Sequence, residues 1–368
     1  MKIHLQAGRS TEIAAPENTA LNTIFPGLIS LPGGELLAIY TAGSDFESAD
    51  QLPYYSYSSD AGQAWTPGKP LFPTINLPSG GCFSCCCKPT LYGERVVAVG
   101  YGFERVDQTL SLSDYATKHG RFPKCRNFVC FSDTGKGDWS RPRFIEHAWD
   151  GIETSGPALV DALGQLHFFG PPFVLRGQVQ RGLNYISRDG GISWQEQSQY
   201  FEHPEIAPWE TRACLLPNGR IWLVFWAYDL AKEKHLNNFL VYSDDNGQSW
   251  SKPIDSGIHC QAANLLALPD YPGQMLLVGA VREGSNPGIM LYQLNSVTGE
   301  CLGAQPLLTL ANMCNAAGKI EAQFASLRFG QPALLRLPDG DILLSYWSKL
   351  SQHYACHCQR FSLQLKSR

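Results

Sequence analysis

The chain has no run of about 18 consecutive apolar residues, so no segment is fit to span a bilayer as a helix. It is also short of charge: charged residues are 17% of its 368 residues and the formal net charge is −4. A nucleic-acid partner would require a basic excess that is not there, so neither nucleic acid nor membrane is expected as a partner. The start, Met1-Lys-Ile-His-Leu-Gln-Ala-Gly8, lacks the long apolar segment of a secretory signal peptide, which points to the cytoplasm. No organic-cofactor motif is visible. Cysteine is not scarce at 12 residues, but Cys85, Cys86 and Cys87 are consecutive, a poor geometry for a disulfide framework. Reduced thiols in an intracellular protein are the simpler reading. Cys82, Cys85, Cys86, Cys87, Cys125 and Cys130 also raise zinc, yet they supply no regular second pair of ligands. Small buried thiols in a tight ring centre are expected instead, with no metal and no cofactor.

What the chain does have is turns. Gly (35) and Pro (24) are plentiful and aromatics make up 11%, which suits many short strands. Three octamers share the pattern Ser-x-Asp-x-Gly-x-x-Trp: Ser58 to Trp65, Ser187 to Trp194 and Ser243 to Trp250. A fourth, Ser132 to Trp139, keeps only the Ser and the Trp in place. Asp bonds nearby backbone amides and Gly supplies positive φ, so each octamer is a turn, and the Trp can fold back as an apolar plug. Each follows a β-rich run and therefore marks a hairpin. Recurrence at a roughly fixed period means a repeat architecture.

A second repeat alternates with the first: an apolar strand, a turn of Leu-Pro-x-Gly type, and another apolar strand. It occurs at 26–40, 89–99, 157–169, 211–225, 262–278 and 332–346. Six inner hairpins, each followed by an outer one, make an all-β, six-bladed β-propeller of four-stranded blades, a single domain over 1–368. After the sixth inner hairpin only one strand fits, at 354–363, so the N-terminal strand from Lys2 to Ala7 is expected to complete that blade and close the ring. The longest loop, between Gly102 and Arg126, is a functional or mobile insertion.

The octamers resemble the Asp-box, or BNR, repeat of the sialidase superfamily, and the alternation of hairpins and boxes extends the resemblance over the whole chain. It implies that the boxes are fold staples on outer turns, away from an active face formed by loops that enter and leave the inner hairpins. Fold alone does not give function. The position six residues before the Leu of each inner turn holds Phe25, Ser155 (by a looser alignment), Glu210, Ala262 and Gln331, so Glu210 is the only acid in that ring. A lone carboxylate in an apolar strand is costly to bury unless paired or used; the alternative is a Glu that reaches water or an arginine. Its setting resembles the sialidase glutamate that activates the nucleophilic tyrosine. The resemblance also implies an acid/base aspartate in the loop 43–50, where Asp50 is the candidate and Glu47 and Asp45 are rivals. Glycoside hydrolysis needs two carboxyl groups flanking the bond, and the ring can bring Asp50 and Glu210 together across its axis.

Other residues expected on this face are Glu104 and Arg105, Tyr228 and Asp229, Arg282 and Glu283, and Arg328. The arginines can grip a substrate carboxylate or pair with neighbouring acids. Trp209, Phe103 and Trp347 can stack on a sugar or pack in the core. The chain departs from the sialidase pattern where Ile24 replaces an expected arginine and Gln331 the nucleophilic tyrosine, and no arginine lies between Arg220 and Arg282. The expected function is a sialidase-like exo-glycoside hydrolase acting on a carbohydrate, with Asp50, Glu210 and Glu47 as catalytic candidates. Arg282, Arg328, Arg105, Asp229, Gln331 and Trp209 are the substrate-binding candidates. A polysaccharide lyase with His259, His203 or His119 as base, or a non-catalytic glycan-binding propeller, are the alternatives.

Overall fold

Leu36, Ala38 and Tyr40 pack into one hydrophobic core, while Leu37 and Ile39 between them pack into another. This two-residue alternation is what a strand does when both of its faces are covered. The same holds for Val96 and Ala98 against Val97 and Val99, and for Leu276 and Val278 against Leu277. The second strand of each blade is thus sandwiched between two neighbouring blades. The near-continuous apolar runs seen in the sequence belong to these strands.

In the computed structural model, which describes residues 2–16, 21–174, 177–310, 313–314, 323, 326–350 and 352–366, six separate sheets form six blades. From the axis outward, blade 1 comprises Asn22–Ser30, Leu36–Gly43, Leu52–Ser58 and Lys69–Pro70. Blade 2 comprises Cys82–Tyr92, Arg95–Arg105, Cys125–Ser132 and Arg143–Ile145. Blade 3 comprises Leu159–Val160, Leu166–Gly170, Gln180–Ser187 and Gln195–His203. Blade 4 comprises Ile206–Leu215, Ile221–Asp229, Phe239–Ser243 and Ile254–Asp255, with Lys234–His235 added beside its second strand. Blade 5 comprises Gln261–Ala267, Gln274–Val281, Gly288–Asn295 and Cys301–Thr309. Blade 6 comprises Phe329–Arg336, Ile342–Leu350 and His353–Lys366, and its outer strand is the N-terminal Lys2–Glu12. That last pairing runs antiparallel from Lys2 against Lys366 to Glu12 against His357 and closes the ring. The six cores lie between blades, not at the centre. The axis is therefore left as a channel lined by the innermost strands. The insertion after Arg105 contains a helix, Leu112–His119, capped by Ser111 and ended by Gly120.

The Asp-boxes are built as their composition dictates. Ser243 Oγ donates to Asp245 Oδ1 at 2.7 Å and accepts from Gly247 N at 2.8 Å. Asp245 Oδ1 takes the amides of Gln248 and Ser249 at 3.1 and 2.9 Å. The boxes at Ser58 and Ser187 repeat these bonds. The worn copy recovers the same turn by another route: Asp138, three residues after Gly135, accepts from Ser132 Oγ and from the amides of Asp133 and Thr134. Gly247 sits at φ +75°, and a Cβ there would stand 2.6 Å from Asn184 Nδ2 in blade 3. Gly247→Ala is expected to destabilise the protein by about 1–3 kcal/mol, read as a lower urea midpoint at unchanged slope. An unchanged midpoint would mean that the box does not staple the blade to its neighbour.

All twelve cysteines are free thiols. Among the described residues no group of three or more His, Cys, Asp or Glu is arranged to hold a metal ion, and no helix is long and apolar enough to cross a membrane.

Candidate active site in the central channel

Four innermost strands break their ladder at one level. Register shifts fall between Ile24 and Gly27, Trp209 and Arg212, Gln261 and Asn264, and Gly330 and Ala333. Inside each bulge one non-glycine residue adopts positive φ: Phe25 (57°), Glu210 (50°), Ala262 (49°) and Gln331 (44°). These are the residues that the Leu-Pro-x-Gly spacing aligned. A side chain in this region is strained, most of all a bulky one, and such strain is kept where the surroundings over-determine it. The bulge adds one residue to the strand and re-aims its side chain.

The side chains meet across the axis. Gln331 Nε2 of blade 6 donates to Glu210 Oε1 of blade 4 at 2.8 Å. The other end of Gln331 faces Lys88 Nζ of blade 2 at 3.4 Å, and Lys88 also donates to the carbonyls of Phe25 and Pro26 in blade 1. Arg212 approaches Glu210 Oε1 to 3.9 Å and donates to Ser155 Oγ. Glu153, in the segment entering blade 3, accepts from Glu210 N at 3.5 Å. Arg282 of blade 5 donates to Gln261 Oε1 at 2.6 Å and to the Phe329 carbonyl at 2.8 Å. Every blade contributes. The three cations are buried, and each lies over a glycine of the adjacent blade: Lys88 over Gly27, Arg212 over Gly156 and Arg282 over Gly330, where a Cβ would stand 2.9, 2.9 and 2.0 Å away.

Burial sets the electrostatics. Glu153 is pushed up from 4.5 to about 8, first by desolvation and then by the charge of Glu210, with Arg212 opposing. It is ringed by protein, yet the residue keeps partial exposure. Desolvation also lowers Lys88 to about 8 and Arg282 to about 10, and it raises the Cys86 thiol to about 11. Burial pushes the Tyr101 phenol well up, beside Cys86, Glu153 and Glu210. The arrangement places a carboxyl group that burial raises to about 8 beside a second carboxyl that accepts from Gln331 and lies 3.9 Å from Arg212. A carboxyl raised by burial can donate a proton while a second one beside it does nucleophilic or base work.

The other sequence candidates lie elsewhere on the same face. Asp50 is exposed and ties its own loop, accepting from Ser44 N at 3.0 Å, Ser44 Oγ at 3.0 Å and Ser48 Oγ at 2.6 Å. Desolvation opposes these bonds, but together they hold Asp50 below the usual carboxylate range. Glu47 accepts from Ser113 N and Oγ at 3.0 and 2.8 Å, binding the inserted helix to blade 1, and burial raises it. Arg105 is buried and donates to the carbonyls of Glu47 and Leu110. Asp229 accepts from the amides of Ala231 and Lys232. Trp209 stacks on Tyr228 at 4.7 Å. Arg328 is exposed, and its carbonyl accepts from Lys349 N. Of the site candidates, Glu210, Gln331 and Arg282 come together in the channel cluster. Phe103 and Trp347 are buried among other rings. His203 takes the amides of Glu205 and Ile206, His259 lies 3.5 Å from Glu283, and His119 packs on Tyr115.

Glu153, Lys88 and Arg212 were not singled out from the sequence. The inner strand of blade 3 is only Leu159–Val160 and has no bulge, so the spacing that marks the other blades points here to Ser155, two residues past the acid. For Lys88 and Arg212 a signal was present: each is the one cation of its inner strand, and a cation is costly to bury without partners.

Residues 185–196 and 241–252 match the model of the BNR/Asp-box repeat. The chain is a six-bladed Asp-box propeller. Among curated proteins none matches it in sequence. Solved structures share the fold at low identity. A protein of unknown function from Dyadobacter fermentans is 16% identical with a TM-score of 0.76, covering 98% of this chain and 99% of that one. A Hadza microbial sialidase is 15% identical with a TM-score of 0.66 over 92% of this chain, and the Trypanosoma rangeli sialidase in complex with the inhibitor DANA is 12% identical with a TM-score of 0.65 over 96%. The Asp-box propeller spans 65% and 60% of the length of those two sialidases.

Proposed function

We propose that the channel is the active site of an exo-acting glycoside hydrolase. The observation that carries this reading is the meeting of two acids at the axis: the Glu210 amide donates to the Glu153 carboxyl at 3.5 Å, and burial raises Glu153 to about 8. In the step we envisage, Glu153 gives its proton to the glycosidic oxygen as the bond to the anomeric carbon breaks, and the leaving group departs as an alcohol. Glu210 supplies the second carboxylate role, attacking the anomeric carbon or taking a proton from the attacking water. Lys88, Arg212 and Arg282 outnumber the two carboxyl groups and favour a glycone with anionic or strongly polar substituents. A closed ring whose polar groups converge from every blade admits the end of a glycan and not its middle, which supports exo action. The structural neighbours named as sialidases support a carbohydrate as substrate. In this reading Asp50 and Glu47 shape the face, and Gln331, in the place of the expected tyrosine, orients Glu210.

The test is the pH profile. Only protonated Glu153 can act as the acid, so hydrolysis is expected to fall as pH rises through about 8. Glu153→Gln is expected to lose about 10²-fold or more in kcat on glycosides with poor leaving groups and to lose that alkaline limb. A Glu153→Gln enzyme with wild-type rate and profile would remove Glu153 from the mechanism. The same group bears on stability. Its folded value is raised from 4.5 to about 8, so its contribution is fully present below 4.5 and is lost as pH rises through 8.

A further inference from the structure

Four rings climb out of the channel between blades 2 and 3. Tyr101 and Phe103 share a face of Arg95–Arg105, being two residues apart, with centroids 5.9 Å apart. Phe173, on the loop that leaves the second strand of blade 3, lies 5.7 Å from Tyr101 and 5.2 Å from Phe103. Phe122, at the end of the blade 2 insertion, lies 5.5 Å from Phe173 and 5.9 Å from Phe103. The foot of this wall is in the candidate site, where the Tyr101 phenol meets Cys86 and lies beside Glu153 and Glu210. Its top is in solvent, since Phe122 is 44% exposed. Val106 and Val179, also exposed, lie on the same two loops. Tyr101 and Phe173 keep partial exposure while Phe103 is buried behind them, so the cluster presents ring surface to solvent, and apolar side chains gathered in this way mark a place where something apolar binds.

We propose that this wall is the leaving-group subsite and that it takes an apolar, ring-bearing aglycone, an aryl or fused-ring group. The inference rests on the glycosidase reading of the channel. Three of the four rings are phenylalanine and bring no hydrogen-bonding atom, and the hydroxyl of the fourth is turned to Cys86. A second sugar could lay one face on a ring but would leave its hydroxyls without partners on these four rings, whereas an aromatic guest needs only ring faces and edges at 4.5–7 Å. The rings are tilted against one another, from 32° to 82°, so the wall offers edges as well as faces to a flat guest.

The experiment is saturation-transfer NMR with free 4-methylumbelliferone as the probe, on wild type, Phe122→Ala and Phe173→Ala. Phe122 is exposed, so its variant keeps the fold; circular dichroism checks both. Wild type is expected to bind the probe, and each variant to weaken it about three- to tenfold. No saturation transfer in wild type, or equal affinity in both folded variants, would overturn the subsite. The probe has no glycosidic bond, so the result does not depend on turnover. A protein that binds it through these rings but hydrolyses no glycoside would sink the glycosidase reading and not the wall.

Discussion

Glu210→Gln is expected to abolish glycoside hydrolysis, with kcat down by about 10³-fold or more, while the protein folds and melts close to wild type. The substitution keeps the volume of the side chain and an oxygen for Gln331 Nε2, which now lies 2.8 Å from Glu210 Oε1. It removes the carboxylate that would attack the anomeric carbon or activate water. The left-handed backbone at this residue, φ 50°, is imposed by the bulge and carries over to glutamine. Asp50→Asn is the informative contrast. Asp50 bonds Ser44 and Ser48 of its own loop, so its loss is expected to loosen that loop and to cost far less in kcat. If instead Asp50→Asn were the dead variant and Glu210→Gln the active one, the acid would have to be sought in the loop after the first hairpin.

Removing residues 1–13 is expected to prevent the ring from closing. Ile3, Leu5 and Ile13 are 7, 3 and 0% exposed in the cores that flank blade 6. Each such side chain is worth about 1.5–3 kcal/mol, so the three come to about 5–9 kcal/mol. That is comparable to the whole stability of a domain, about 5–15 kcal/mol. The deletion also strips the backbone partner from His353–Lys366 along the register from Lys366 to His357, leaving a long unpaired edge that invites aggregation. The shortened chain is expected in the insoluble fraction. A soluble, monomeric protein with the wild-type melting temperature would show that blade 6 does not depend on this strand.

The architecture was legible in the sequence because its signals repeat. Ser58, Ser187 and Ser243 each begin the same hydrogen-bonded turn, and the inner hairpins recur between them. The ring position was legible for the same reason: one spacing aligned Phe25, Glu210, Ala262 and Gln331, the four bulged residues of the channel. Blade 3 broke the rule. Its inner strand is two residues long, so Glu153 reaches the site from the segment before the strand, at a place no repeat marks. The loop bonds of Asp50 were hidden for another reason. Which acid ties a loop and which one faces the axis depends on where Ser44 and Ser48 put their hydroxyls, and spacing does not encode that. The helix Leu112–His119 was likewise read only as an insertion, because a capped two-turn helix is too short to show a hydrophobic period.

The most direct measurement is hydrolysis by the purified wild-type protein on a panel of fluorogenic glycosides led by sialosides, in parallel with Glu153→Gln and Glu210→Gln. Release from at least one sugar, lost in both folded variants, is the predicted result. Silence across the panel from a folded wild type, or release that survives both substitutions, would contradict the placement of a glycosidase site in this channel.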